Sequence, residues 1–100
     1  MIYSIVEHGP VVVVSLDGLV NYASSADFKR LMADIAPFKG RKIVFDLGRI
    51  HHVDSVGLGF LYVARDELGR AFPLGLKSPN ESVRKLLELT ESYTDFDIQP

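Results

Sequence analysis

Short apolar runs alternate along this chain with apolar stripes at helical spacing. The first run, Tyr3 to Glu7, ends at His8-Gly9-Pro10, a strong turn signal. Val11 to Leu16 is a β-branched run of the kind strands favour, and the two predict a hairpin that opens a sheet. Asp17-Gly18 reads as the end of that second strand. Ser24 precedes Asp27 by three residues, an acidic variant of the capping-box spacing. Phe28, Leu31, Met32 and Ile35 follow at i, i+3, i+4 and i+7, one apolar helical face, and Ala36-Pro37 with Lys39-Gly40 closes the helix.

Lys42 to Leu47 reads as a buried central strand and Gly48 to Val53 as a connecting segment. A second helix starts at Asp54 or Ser55 and runs to about Leu68, with Gly69 as its stop. Its first half is apolar and its second half charged, so the first half is buried or faces a partner. Phe72 to Leu76 reads as a fourth strand. Ser78, Pro79 and Glu81 form a capping box for a third helix, with Val83, Leu86 and Leu87 turned inward. Tyr93 to Ile98 is the last strand. The order β-β-α-β-α-β-α-β predicts a single α/β domain over residues 1–100, with a mixed, mostly parallel sheet covered by about three helices.

Composition narrows the chemistry. With 47% apolar and 24% charged residues in a 100-residue chain, a packed core is attainable and intrinsic disorder is not expected. Thirteen acidic against eleven basic residues give a net charge of -2, so no strong attraction to nucleic acid or anionic membrane follows. The chain has no cysteine, which excludes disulfides, thiolate metal sites and thiol nucleophiles. No apolar run reaches the ~18–20 residues of a membrane span. The N-terminal residues lack the features of a signal peptide, and a cytoplasmic protein is expected.

The chemistry-bearing stretch is Asp46-Leu47, a short loop ending in Val53, then Asp54-Ser55-Val56-Gly57-Leu58-Gly59. It places a hydroxyl at a helix N-terminus, where free N–H groups and the helix dipole favour negative charge. Gly57 and Gly59 allow close approach by a backbone or a bulky group. Three readings are open on the residues alone. Asp54 or Ser55 is a simple N-cap; the glycines form a nucleotide phosphate loop; or Ser55 is itself phosphorylated. The phosphate loop fits poorly, since the spacing is not Gly-x-Gly-x-x-Gly and no Lys-Ser/Thr follows. A phosphoserine would add about 1.5 to 2 negative charges to a partner-facing surface.

The segment resembles the signature of STAS domains, in particular bacterial anti-sigma factor antagonists. Leu16-Asp17-Gly18-Leu19-Val20-Asn21 is similar to the family's segment before the first helix, and Ser78-Pro79 to the one before the third. The resemblance covers nearly the whole chain. It implies that Ser55 is phosphorylated by a partner serine protein kinase that is also the anti-sigma factor. The unphosphorylated form would bind that kinase and free the sigma factor; phosphorylation would release it, and a PP2C-type phosphatase would restore it. The kinase would supply ATP and Mg²⁺, so the chain itself would need no cofactor. Asn21, Tyr22, Asp54, Ser55, Val56, Gly57 and Gly59 are the expected partner-binding residues, with Phe60 and Tyr62 as aromatic anchors or, with better reason, as core. The chain departs from the family pattern at Val56, where a second Ser is common, and at Asn21, where many members carry Asp. The family's usual terminal helix is not among the elements read.

Other readings are weaker. His51, His52 and Asp54 suggest a metal site, but adjacent histidines on a loop rarely point together and no third ligand is well placed; Ser55 sits in no Gly-x-Ser-x-Gly elbow, so neither a metal site nor a hydrolase is expected. The basic pairs Lys29-Arg30, Arg41-Lys42 and Arg84-Lys85, and the acids Asp95 and Asp97, read as solvated. A constitutive STAS subunit of a transporter-associated or multi-protein signalling assembly, without a phospho-switch, is the alternative function.

Overall fold

The computed structural model describes residues 1–100. Five strands form one sheet in the order β1-β2-β3-β4-β5. They are β1 (Ile2–His8), β2 (Val11–Val20), β3 (Lys42–Val53), β4 (Gly75–Lys77) and β5 (Asp97–Gln99). The β1/β2 hairpin is antiparallel and every later pairing is parallel. The three helices are α1 (Ser25–Ile35), α2 (Ser55–Leu68) and α3 (Glu81–Leu89). Each spans one parallel crossover. Crossovers of one hand between strands in sequential order put all three helices on one face. Burial agrees: Val12, Val14 and Leu16 of β2 and Ile43, Phe45 and Leu47 of β3 meet the helices in one core cluster. Val44 points to the other face. It is 4% exposed yet lies outside that cluster, because bare Gly75 on the neighbouring strand lets Val44 and Gln99 close over it.

Several boundaries move from where local sequence puts them. Asp17-Gly18 does not end β2, which continues to Val20. Gly18 takes a φ of 107°, and the register against β3 slips between Ser15 and Asp17 and between Gly18 and Leu19. These are bulges that redirect the strand rather than end it. Gly48 to Val53 is accordingly strand, not connector: Arg49, Ile50, His52 and Val53 pair with Asp17, Gly18, Leu19 and Val20. The paired extension, irregular in register, still sends Ile50 and Val53 into the core while His51 and His52 stay exposed.

The caps also shift. Ser24 makes no side-chain cap for α1. Its hydroxyl instead accepts from the Asn21 N–H at 3.1 Å and donates to the Leu19 carbonyl at 2.9 Å, closing a 3-10 turn over Tyr22–Ser24. The cap of α3 is Asn80, not Ser78: its Oδ1 accepts from the Val83 N–H at 2.9 Å. Its amide nitrogen also donates to the Ile50 carbonyl at 3.0 Å and the His51 carbonyl at 3.3 Å, which ties α3 to the end of β3. Of Phe72 to Leu76 only Gly75 and Leu76 are strand, and Phe72 is exposed. Tyr93–Asp95 forms a 3-10 turn, and only Asp97–Gln99 joins the sheet.

Several of the residues read as solvated are engaged. Lys42 Nζ lies 2.8 Å from Asp97 Oδ2, and that ammonium holds the Asp97 carboxyl below the usual carboxylate range. Arg41 pairs with Glu7. Asp95 accepts from the Tyr62 hydroxyl; burial first, and this bond second, push the Tyr62 phenol up. Arg30 holds Asp27 at 2.7 Å and lowers its carboxyl.

Candidate functional site

The site lies where β2 and β3 end side by side and α2 begins. Leaving β2, the chain turns through Asn21. Its Oδ1 accepts from the Ala23 N–H at 3.0 Å and so starts the 3-10 turn. Leaving β3, it enters α2 directly, with Asp54 as N-cap in extended backbone. Asp54 Oδ1 accepts from the Gly57 N–H at 2.6 Å, and Oδ2 accepts from the Tyr22 N–H at 3.2 Å. The Asp54 N–H donates to the Val20 carbonyl at 3.2 Å. One aspartate therefore joins two loops that lie 32 residues apart in sequence.

Gly57 explains how the two ends come so close. A Cβ there would lie 2.0 Å from the Val20 carbonyl oxygen and 2.6 Å from its carbon. Only glycine lets the first turn of α2 rest on the backbone of β2. Gly57 is buried, so it shapes the surface from beneath. Gly59 has nothing within 4 Å and is exposed, so no contact inside the protein requires it.

Ser55 is exposed at the first position of α2. The capping bond belongs to Asp54, so the Ser55 hydroxyl is not used to hold the helix. The N–H groups of Ser55 and Val56 are the first two of the helix and have no intrahelical acceptor. Next to Ser55 in sequence, Val56 is 46% exposed, and Tyr22, whose N–H is held by Asp54, is 75% exposed. Asn21 is half-buried, with its side chain turned to its own turn. Phe60 and Tyr62 do not join this surface. Phe60 stacks on Phe28 with centroids 5.1 Å apart, and Tyr62 tilts against Phe96 at 5.2 Å. Both rings close the edges of the core. Sequence reasoning missed Val20, whose carbonyl is the seat of α2. It also missed Asn80, although an Asn directly before a helical Glu is itself a cap signal.

The profile of the STAS domain matches residues 3–100. The chain belongs to the STAS domain family. Solved structures agree with that placement. An anti-sigma factor antagonist from Mycobacterium paratuberculosis is 25% identical, superposes with a TM-score of 0.85, and aligns over 99% of this chain and 85% of its own. A candidate anti-sigma factor antagonist from Thermotoga maritima is 24% identical with a TM-score of 0.80, over 98% of this chain and 84% of its own. The Bacillus cell fate determinant SpoIIAA in its phosphorylated form is 20% identical with a TM-score of 0.70, over 99% of this chain and 91% of its own. The STAS fold accounts for the mixed five-stranded sheet with its three helices. In this STAS domain the Asp54-Ser55-x-Gly57 motif supplies one capping side chain, one free hydroxyl and one bare Cα. No helix of it is long and apolar enough to cross a membrane.

Proposed function

We propose that this STAS domain is a phosphorylation-switched binding module that acts as an anti-sigma factor antagonist. With Ser55 unmodified it docks on an anti-sigma factor that is also a serine protein kinase. Phosphorylation of Ser55 by that kinase releases it, and a PP2C-type phosphatase resets it. The domain carries out no reaction of its own and works in the cytoplasm. The observation that carries this reading is the division of labour at the start of α2: Asp54 caps the helix, and the Ser55 hydroxyl is exposed and uncommitted. Tyr22, Val56 and Gly59 form the docking surface around it, Asn21 and Asp54 hold its shape, and Gly57 seats it.

The switch follows from charge. A doubly charged phosphate and the Asp54 carboxylate at ~5 Å separation in a water-like dielectric repel by about 1–2 kcal/mol. A partner covering the site must also strip water from the phosphate, which costs more. A combined loss of ~3 kcal/mol is more than a hundredfold in affinity. The helix N-terminus itself tolerates the added charge, so the domain stays folded.

The test is recovery of the protein from its native cell with its bound partners, followed by mass spectrometry. Trypsin releases Ile50–Arg65, whose only hydroxyls are on Ser55 and Tyr62. Phosphate on Ser55, an ATP-binding serine kinase in the same sample, and binding retained by Ser55→Ala with phosphorylation abolished are the expected results. A stable complex with a different partner and an unmodified Ser55, while the kinase is active, would refute the switch and favour the constitutive-subunit reading.

A further inference from the structure

The two edges of the sheet are built differently. The β5 edge is three residues long and is followed by Pro100, and its Asp97 is tied to Lys42. Short length, charge and proline are the usual guards of a free edge. The β1 edge has none of them over Ile2-Tyr3-Ser4-Ile5-Val6. That stretch carries no charge, no proline and no glycine, and β1 pairs with β2 in unbroken register. Its outer row of backbone N–H and C=O groups is unpaired. On the open face of the sheet, Ile2 is 74% exposed and Val6 is 45% exposed.

We infer that β1 is a self-association edge, and that its occupant is β1 of a second copy of this chain, paired antiparallel about a two-fold axis at Ser4. The register follows from the side chains. Residues on one face must meet residues on the same face, so the pairing can shift only in steps of two. Centred on Ser4, Ile2 faces the partner's Val6 and Tyr3 faces the partner's Ile5, apolar against apolar on both faces. Centred on Ile5, Ile2 would face the partner's His8 and Tyr3 the partner's Glu7. Only the first arrangement covers both exposed side chains with apolar partners. Face-to-face stacking of the open sheets is disfavoured instead, because it would cover Asp17, Asp46, Lys77 and Asp97.

The size of the contact sets its strength. With the axis at Ser4 the two β1 strands overlap over Ile2–Val6, a strip about 17 Å long at ~3.4 Å per residue and about 10 Å wide, so the contact covers on the order of 300–400 Å² over both copies, well short of the ~1,200 Å² of a stable interface. The dimer is therefore reversible and appears at high protein concentration. It joins two sheets into one of ten strands.

Sedimentation velocity of the 100-residue chain tests this between about 10 µM and 1 mM. The apparent mass should rise from 11.1 kDa towards twice that value. Ile2→Lys with Val6→Lys should weaken association at least ~tenfold, since both side chains are exposed and the monomer keeps its circular dichroism. Ile2→Lys with Val6→Glu should restore it at low salt, because each new cation then faces a new anion across the axis. A monomer throughout, a dimer indifferent to the lysine pair, or no rescue by the mixed pair would each overturn the proposal.

Discussion

Replacing Gly57 by alanine tests the architecture of the site at its tightest point. The added methyl would stand 2.0 Å from the Val20 oxygen, 2.6 Å from its carbon and 3.1 Å from its Cγ1. Two of these obstacles are backbone inside a paired strand, so no rotamer change relieves the clash. Helix α2 must lift from β2. Lifting stretches the Asp54 N–H to Val20 carbonyl bond and the Tyr22 N–H to Asp54 bond. Overpacking costs about 1–3 kcal/mol. Each weakened hydrogen bond adds about 1 kcal/mol. Alanine's better helix propensity returns about 1 kcal/mol. The net destabilisation is about 2–4 kcal/mol, toward the upper end because the obstacle is backbone. Urea unfolding followed by circular dichroism should show a midpoint lower by roughly 1–3 M. Gly59→Ala is the matched control on the same helix: with open space around it, it should raise stability by about 1 kcal/mol. A Gly57→Ala protein as stable as the parent would refute the claim that α2 rests on the Val20 backbone.

Two further outcomes follow from the caps and the ion pairs. Asn80→Ala removes the α3 cap and the tie to the Ile50 and His51 carbonyls, and should cost about 1–2 kcal/mol in thermal or urea unfolding, with hydrogen exchange at His51–Val53 accelerated. Lys42 and Arg30 hold the Asp97 and Asp27 carboxyls below the usual carboxylate range. A depressed folded-state value contributes stability that is full above the unfolded value and is lost as pH falls through the folded one. Stability should therefore hold down to about pH 4 and fall below it, and Asp97→Asn should flatten that acid limb by no more than ~0.5–1 kcal/mol, since the pair is partly solvated.

The sequence was most legible where the deciding interactions are local. The α1 stripe at Phe28, Leu31 and Ile35 and the α3 stripe at Val83 and Leu87 are buried as their spacing predicts. The Asp54-Ser55 helix start is where the motif puts it. Legibility failed where distant pairing decides. Asp17-Gly18 and Gly48 look like chain breaks, yet the two irregular halves of β2 and β3 pair with each other and stay extended. Gly57 carried a signal for close approach but not the identity of what approaches, since Val20 lies on another strand. Asn80 was overshadowed by the better-known spacing from Ser78 to Glu81.

The bond from Tyr22 to Asp54 has a wider consequence. The surface around Ser55 is a composite of two chain segments and exists only when β2, β3 and α2 are assembled. A kinase that recognises Ser55 through Tyr22 and Val56 reads a shape rather than a linear consensus. On the proposed switch, a peptide spanning Ile50–Arg65 would be a poor substrate, and an unfolded copy would escape the enzyme. Modification at this position would report not only a signal but also the integrity of the molecule that carries it.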